Sequence, residues 1–522
     1  MDIIFDNLPG LLIAIPLLGA FLTPILSRAG DNLRNAWVLV ITALSSLCGL
    51  LVAFRVLDAG TIVYAFGVDA ISHVIPPDSG GVPIRIIFTI DPVNSFMIII
   101  AAITGFCITL YSISSMEKLS GKDGFFTLLL LLIAGVYGMI ATGDLFNFFV
   151  FLEISSLAGA ALVAYRIDKG VAAEAGLKYA ALSTLGGMLF LVGVGLLYAQ
   201  YNSLNMAVIA DRMQLTGLDI MAFVFFFSAL AMKCGAVPMH FWTPDSYTMA
   251  PSAVTAFLVV SSQASLYALF RVCFTLYGGQ VNPLTVGWVI IILGVLSMFI
   301  GVTMAIPQKD VKRLMAYHAV SQTGYMLLGV GVGLAALSNS CLSQGVGMMA
   351  LKGGLFHIMN HALYKGLLFL TAGVIMYRCG TRNLNRLGGL GHNMKWTMVF
   401  FMIGALAIAG IPPFNGFASK LLIYESTFLF NPLLAVIAMV VSILTLASFV
   451  KVFHSMFMGP KLPEYQDVRE APKPMLIAMG ILAILVVLFG IFPQQVVDFL
   501  VAPAASALVD YHGYISAVLG GA

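Results

Sequence analysis

The chain has 522 residues, 60% of them hydrophobic and 9% charged, with a formal net charge of +3 and a mean hydropathy of +1.00. A soluble domain carries about 25% charged residues, so water is not the main solvent of this fold, and the dispersed positive charge leaves no footprint for nucleic acid. Six cysteines (Cys48, Cys107, Cys234, Cys273, Cys341, Cys379) stand singly in apolar segments without a CxxC pair, and no glycine fingerprint or Walker loop occurs, so neither an iron–sulfur cluster nor a nucleotide site is expected.

Apolar stretches of about 20 residues, the length that crosses a hydrocarbon core, recur from one end to the other. The first, near 9–27, has no small-residue cleavage pattern and reads as a span, not a signal peptide. A second covers 36–56, and the loop 57–90 after it has Gly and Pro punctuation and a β-branched run from Ile84 to Ile90, which fits a small hairpin. Further spans are expected near 91–116, 123–142, 144–165, 175–200, 217–238, 249–277, 283–305, 312–336, 348–377, 396–428, 432–458 and 474–498, about fourteen in all. The expected fold is an all-α polytopic membrane protein without a separate soluble domain. Residues after 498 are apolar but broken by Pro503 and are expected to form a tail.

Alternate loops hold the basic residues: Arg28 and Arg34; Lys118 and Lys122; Arg166 and Lys169; Lys309, Lys312 and Arg313; Arg378, Arg382, Arg386 and Lys395; Lys461, Arg469 and Lys473. The opposite loops hold little beyond Arg55, Arg85 and Arg212. Positive charge stays inside, so both termini are expected to face outward from a cell (inner or cytoplasmic) membrane.

Two spans are interrupted. Segment seven reads Lys233-Cys-Gly-Ala-Val-Pro238-Met-His240-Phe-Trp242-Thr-Pro244-Asp245, and segment twelve reads Ala409-Gly-Ile-Pro412-Pro413-Phe-Asn415-Gly-Phe-Ala-Ser-Lys420. Proline removes an amide donor and clashes with an earlier carbonyl, and backbone groups freed at membrane depth are tolerated only against protein or water. One such break is equally an ordinary proline kink with a snorkelling lysine. Two, one in each half and each with a lysine within two turns, point to a transport pathway. The lysine precedes the break in segment seven and follows it in segment twelve, a reversal read as the mark of an inverted repeat, segments four to eight against nine to thirteen.

The ionizable residues inside these spans are the candidate site. Glu153 lies mid-segment, where an ionized carboxylate costs about 2.5–3.5 kcal/mol or more, and Lys233 is its expected partner. A nearby carboxylate favours the charged form of a lysine and its withdrawal favours proton release, so moving one switches the other. Lys178 follows Glu174 by one turn; an interfacial i,i+4 pair is the plain structural reading, and the expected depth of Lys178 favours a place on the pathway. Segment eleven carries Lys352, then His357, His361 and Lys365 spaced i, i+4, i+8 on one face. Histidine titrates near neutral pH and passes a proton between its ring nitrogens, which suits a relay. Satisfied polar packing is one alternative, and a metal site is another, although no carboxylate or cysteine nearby completes it. His318 is a further relay candidate, Lys420 the last carrier, and Lys352 has no assigned role.

These residues sit in four runs that resemble a family. Lys233…Pro238-Met-His240-Phe-Trp242-Thr-Pro244-Asp245-Ser-Tyr…Ala250-Pro251-Ser is similar to the signature of the antiporter-like membrane subunits of respiratory complex I, Mrp-type sodium/proton antiporters and membrane-bound energy-converting hydrogenases. Asp310-Val-Lys312-Arg313-Leu-Met-Ala316-Tyr317-His-Ala-Val-Ser321-Gln322-Thr-Gly324-Tyr325 resembles a second family motif, His357-Ile-Met-Asn-His361-Ala-Leu-Tyr-Lys365-Gly a third, and Gly410-Ile-Pro412-Pro413…Gly416-Phe417-Ala-Ser-Lys420 a fourth. The resemblance, over about residues 90–460, implies fourteen helices with two inverted five-helix repeats. The regions would be 1–122 (the first three helices), 123–277 (first half-channel), 283–458 (second half-channel) and 459–522 (loop, last helix and tail).

It further implies a proton route through Glu153, Lys178, Lys233, His318, His357, His361, Lys365 and Lys420. The implied setting is a multi-subunit redox-driven complex or an Mrp-type antiporter, with other antiporter-like and hydrogenase- or quinone-module-like membrane subunits as partners and no redox cofactor in this chain. A Na⁺/H⁺ exchange module and a structural scaffold with an inactive pathway are the alternatives. The chain departs from the family at Ser262-Gln263-Ala-Ser265-Leu-Tyr267, where many relatives carry a lysine. Gln263 cannot titrate, so water held by Gln263 and Ser265 is expected to make the link. The chain also stops soon after segment fourteen, without the long lateral helix of the distal complex I subunit, and the Pro244-Asp-Ser-Tyr wording leans toward the Mrp or hydrogenase branch.

Overall fold

A computed structural model describes residues 5–66, 86–116, 120–166, 170–339 and 342–520, the side chains of 343 and 344 excepted. Ile84, Arg85, Lys118, Lys169 and Cys341 lie outside the described residues. The chain opens with α1 (Leu8–Ser27) and α2 (Asp31–Ala59). A hairpin follows, in which β1 (Ile62–Ala65) pairs antiparallel with β2 (Ile87–Ile90), as the β-branched run suggested. Then come α3 (Pro92–Ser115), α4 (Lys122–Ala141), α5 (Leu145–Val163), α6 (Gly170–Tyr201), the short α7 (Met206–Arg212), α8 (Gly217–Lys233), α9 (Trp242–Met249) and α10 (Ser252–Arg271). The second half holds α11 (Pro283–Ala305), α12 (Val311–Ala336), α13 (Met348–Cys379), α14 (Lys395–Ala409), α15 (Asn415–Phe430), α16 (Pro432–Phe457) and α17 (Lys473–Ile491).

Among the described residues twelve helices are long and apolar enough to cross a membrane, and the two interrupted segments appear in pieces, as α8 with α9 and α14 with α15. Helix starts follow local chemistry. Asp91 caps α3, its Oδ1 accepting from the Val93 and Asn94 amides at 2.8 and 3.1 Å while Asn94 returns the bond to the Asp91 amide, with Pro92 preset for the first turn. Asp310 caps α12 in the same way, accepting from the Arg313 amide. The expected loose tail is instead helical, α18 (Ala502–Val509) and α19 (Tyr511–Leu519). Pro503 does not break it: a π-helical turn, Val497–Val501, runs directly into α18, and Pro503 is the second residue of α18.

Burial sorts the helices. The most apolar windows of α12 and of the span that includes α13 are 100% buried and that of α10 is 94% buried, against 39% for α1 and 33% for α17. The histidine-bearing helices therefore form the centre, and the outer helices turn apolar side chains such as Leu18, Phe21 and Ile484 outward, as lipid contact allows. One buried ion pair ties the two ends of the first half together. Arg271, at the end of α10, pairs with Asp91, donates to Asn94 Oδ1 at 2.7 Å and Thr275 at 3.2 Å, and stacks on the Tyr514 ring of α19 at 4.9 Å.

Breaking a buried pair by removing one partner costs about 3–5 kcal/mol. Arg271→Met should therefore lower the unfolding midpoint of the detergent-solubilized protein markedly, and adding Asp91→Asn should recover part of the loss.

Candidate functional site

Both interrupted segments end their first half in one way. After α8, Gly235 takes a left-handed conformation (φ 76°), its amide returns to the Met232 carbonyl, and the Ala236 amide returns to Ala231. After α14, Gly410 (φ 79°) returns to Ala407 and Ile411 to Leu406. Such a paired closure needs a residue that tolerates positive φ. In each case the third residue after the glycine, Pro238 or Pro413, follows a cis bond. The breaks thus match in chain order, and the lysines hold different places in the common frame: Lys233 lies two residues before its glycine and Lys420 ten after. The reversed lysine order is therefore not itself the mark of a repeat, because a repeat keeps chain order; the shared Gly–Pro frame is the better sign.

Side chains answer the backbone groups freed at the breaks. The Trp242 indole donates to the Met232 carbonyl at 2.9 Å, and Ser297 Oγ accepts from the Val237 amide at 2.9 Å. At the second break Lys420 Nζ donates to the Ile408 carbonyl at 2.8 Å and to Ser442 Oγ at 3.0 Å, and Ser442 donates to Ala409 at 2.9 Å. The ammonium of Lys420 thus closes the carbonyl end of α14, where a helix favours positive charge, and lies 4.7 Å from the centre of the Tyr325 ring.

In the first half, Lys233 Nζ lies 3.4 Å from Glu153 Oε1 and donates to Ser156 Oγ at 2.5 Å. The pair expected from sequence is thus in place. Lys233 is 6% exposed. Ser156 follows Glu153 by three residues and so shares its helix face; that spacing was the available sign of it. Opposite, α6 brings Gly187 so close that any Cβ there would collide with Glu153 Oε1.

Lys178 differs from expectation. Its side chain is 49% exposed and bonds Glu174 Oε1 at 2.7 Å and Asp245 Oδ2 at 3.1 Å, while Arg313 approaches Asp245 Oδ1 at 3.3 Å. The i,i+4 pair is therefore real, and Lys178, eight residues into α6, is half exposed and not enclosed among the central helices. Four charges, two of each sign, border one cavity of about 270 Å³ there.

The central set is connected through α13. Gln263 Nε2 donates to the Ile358 carbonyl at 2.9 Å and lies 2.8 Å from His361 Nδ1. A carbonyl only accepts, so the amide nitrogen faces it, and the same nitrogen must donate to His361. Nδ1 of His361 is therefore an acceptor, and its proton sits on Nε2. Gln263 thus touches the histidine directly. Ser265, expected to share that link, bonds instead to the Ser261 carbonyl of its own helix at 3.4 Å.

His357 Nδ1 lies 2.9 Å from Ser419 Oγ, next to Lys420, and its Nε2 lies 3.2 Å from both Gln322 Oε1 and the Tyr364 hydroxyl. Lys365 donates to the Met315 carbonyl at 2.6 Å. His318 is wholly buried with neither ring nitrogen hydrogen-bonded, its ring 4.9 Å from that of Phe449. The structure thus joins Gln263 to His361, and His357 to Ser419, Gln322 and Tyr364, but leaves His318 outside those bonds. Gln322, Tyr364 and Ser419 were not singled out from sequence, although each lies inside one of the quoted motifs. Lys352 is partly buried and joins none of these contacts.

Comparison with known proteins agrees with the motifs. The family described as NADH:quinone oxidoreductase/Mrp antiporter, TM matches residues 142–445. NADH-quinone oxidoreductase subunit N of Desulforudis audaxviator is 33% identical over 515 residues, covering 94% of this chain and 97% of that one. Hydrogenase-4 component B of Escherichia coli is 32% identical, covering 77% of this chain and 62% of the component. A chain in the structure of the Mrp complex from Dietzia sp. DQ12-45-1b superposes with a TM-score of 0.85 at 26% identity, covering 99% of this chain and all of that one. The solved structure is a multi-subunit membrane complex, so other membrane subunits are this chain's expected neighbours. The chain belongs to the NADH:quinone oxidoreductase/Mrp antiporter family and is one of its antiporter-like membrane subunits.

Proposed function

We propose that this chain carries protons across a cell membrane, with both termini outside, as the ion-translocating subunit of a larger redox-driven or antiporter complex. The observation that carries the reading is Lys233, buried in a broken helix, 3.4 Å from the carboxylate of Glu153. A buried ammonium and carboxylate are expensive to keep for packing alone, and the pair has two states. Together, both are charged; apart, the lysine releases its proton.

On this reading each broken helix is one crossing, which brings the count to fourteen. Two inverted five-helix repeats, 123–277 and 283–458, each hold half of the route, with 1–122 and 459–522 flanking them. Pro238 and, in the second half, Pro412 and Pro413 open the helices where Lys233 and Lys420 work. The Glu174–Lys178–Asp245–Arg313 cluster is the shallow end of the first half. Gln263 links to the second half through His361, with His357, Lys365 and Lys420 as later carriers and His318 beside them. Water completes the gaps: Gln263 Oε1, His361 Nε2, Asn360 Oδ1, both polar atoms of Asn415 and both ring nitrogens of His318 are buried without a protein partner. An unmade bond at such an atom costs about 1–3 kcal/mol, and internal waters serve such sites.

Three measurements bear on this, each on the complex reconstituted in liposomes with a pH-sensitive dye inside. Glu153→Gln and Lys233→Ala should each cut coupled proton transport at least tenfold; full transport in both would make the chain a scaffold. Gly187→Ala removes no charge but pushes the Glu153 carboxylate aside, and should impair transport several-fold with little loss of assembly. Gln263→Leu removes the donor to His361 and should slow transport without abolishing the Glu153–Lys233 step. Repeating the assay with and without Na⁺ distinguishes proton transport from Na⁺/H⁺ exchange, since exchange requires Na⁺ on the opposite side.

A further inference from the structure

The face that carries the basic loops holds a cavity of about 310 Å³ between the ends of α3, α10, α12 and α13. Arg166, Lys312 and Arg382 line it, and none of the described residues around it is a carboxylate. Asp310 answers one of these charges, lying 3.2 Å from Arg382 Nε. Lys312 is 2% exposed, and its ammonium meets neutral oxygens, the Ala250 carbonyl at 2.5 Å and the Thr255 hydroxyl at 3.0 Å. Neutral acceptors satisfy its hydrogen bonds and leave its charge unbalanced. The neighbouring cavity around Lys178 is different: its two cations face two carboxylates. Among the described residues the Lys312 cavity therefore presents an excess of positive charge, which attracts anions.

We propose that the cavity of Arg166, Lys312 and Arg382 binds a phosphate-bearing anion, and that its occupant is the headgroup of an anionic phospholipid. Guanidinium groups suit phosphate oxygens bidentately and an ammonium serves as a point charge. The volume is about ten times that of one water. The cavity lies at the ends of the spans, on the positively charged face, where basic pockets between helices receive anionic headgroups. Met116, Met249 and Met376 give it apolar walls, which suit the first carbons of an acyl chain.

The test uses the delipidated complex with the full-length chain, titrated separately with phosphatidylglycerol, phosphatidylcholine and inorganic phosphate. Binding is read by native mass spectrometry and by the unfolding midpoint. Phosphatidylglycerol should bind and raise the midpoint, phosphatidylcholine should not, and Arg166→Gln should weaken phosphatidylglycerol binding at least tenfold. Lys312 is buried and its replacement risks misfolding, so Arg166→Gln and Arg382→Gln carry the test. Inorganic phosphate matching the lipid's effect would uphold the anion site and overturn the lipid as occupant. Unchanged phosphatidylglycerol binding by both variants overturns the site. A carbodiimide cross-link from Lys312 to a neighbouring subunit also overturns the proposal, because the occupant is then an acidic protein segment.

Discussion

An ammonium group among apolar helices has to be met by oxygen, and much of this structure follows from where that oxygen comes from. Lys233 takes a carboxylate and a hydroxyl, from Glu153 and Ser156. Lys365 takes a main-chain carbonyl, that of Met315. Lys420 takes the open end of a helix, whose last carbonyls are available because proline and glycine stop α14 in the membrane. Lys233 thus meets a carboxylate, while Lys365 and Lys420 meet main-chain carbonyls, with the Ser442 hydroxyl added at Lys420. Only the first partner is an ion, so only the first lysine gains or loses a full opposing charge when its partner moves.

The breaks are where backbone and charge depend on one another. A helix interrupted in a bilayer leaves carbonyls and amides that lipid cannot satisfy. At the first break a tryptophan indole and a serine fill that need; at the second, the lysine itself does so. The same Gly–Pro frame thus serves two purposes, holding an ion pair beside it in one half and taking a cation as its cap in the other. Replacing the cap would unsettle the backbone as well as the proposed route, so at Lys420 the structural role cannot be separated from the proposed transport role as it can at Lys233.

Much of this was legible from residue order. The spans, the hairpin, the two breaks and the Glu153–Lys233 pair all follow from apolar length, proline chemistry and the cost of a buried charge. What was not legible depended on distances that no periodicity carries. Lys178 is held at a half-exposed site by Glu174 and by Asp245 of α9, and the second contact joins helices far apart in sequence. The tail was misread because proline usually breaks a helix, whereas the chain here stays helical through Pro503 after a π-helical turn at Val497–Val501, which sequence context does not announce. Gln263 looked like a gap in a chain of titratable groups; its contact with His361 spans two helices and is fixed by the Ile358 carbonyl, which no residue type announces.

That contact bears on leakage. A wire of groups that all accept and give protons conducts in both directions whenever a gradient exists, and would short-circuit the membrane. Gln263 gives a hydrogen bond to His361 and takes no proton in return, and the Ile358 carbonyl holds it in that orientation. While it stays so, His361 has no room for a second proton at Nδ1. On the proposed route the middle of the chain is therefore an insulator at rest. On that proposed route a proton reaches Nδ1 only after the glutamine turns or water displaces it, so an amide that cannot titrate times the link between the two halves while the charged residues carry the proton.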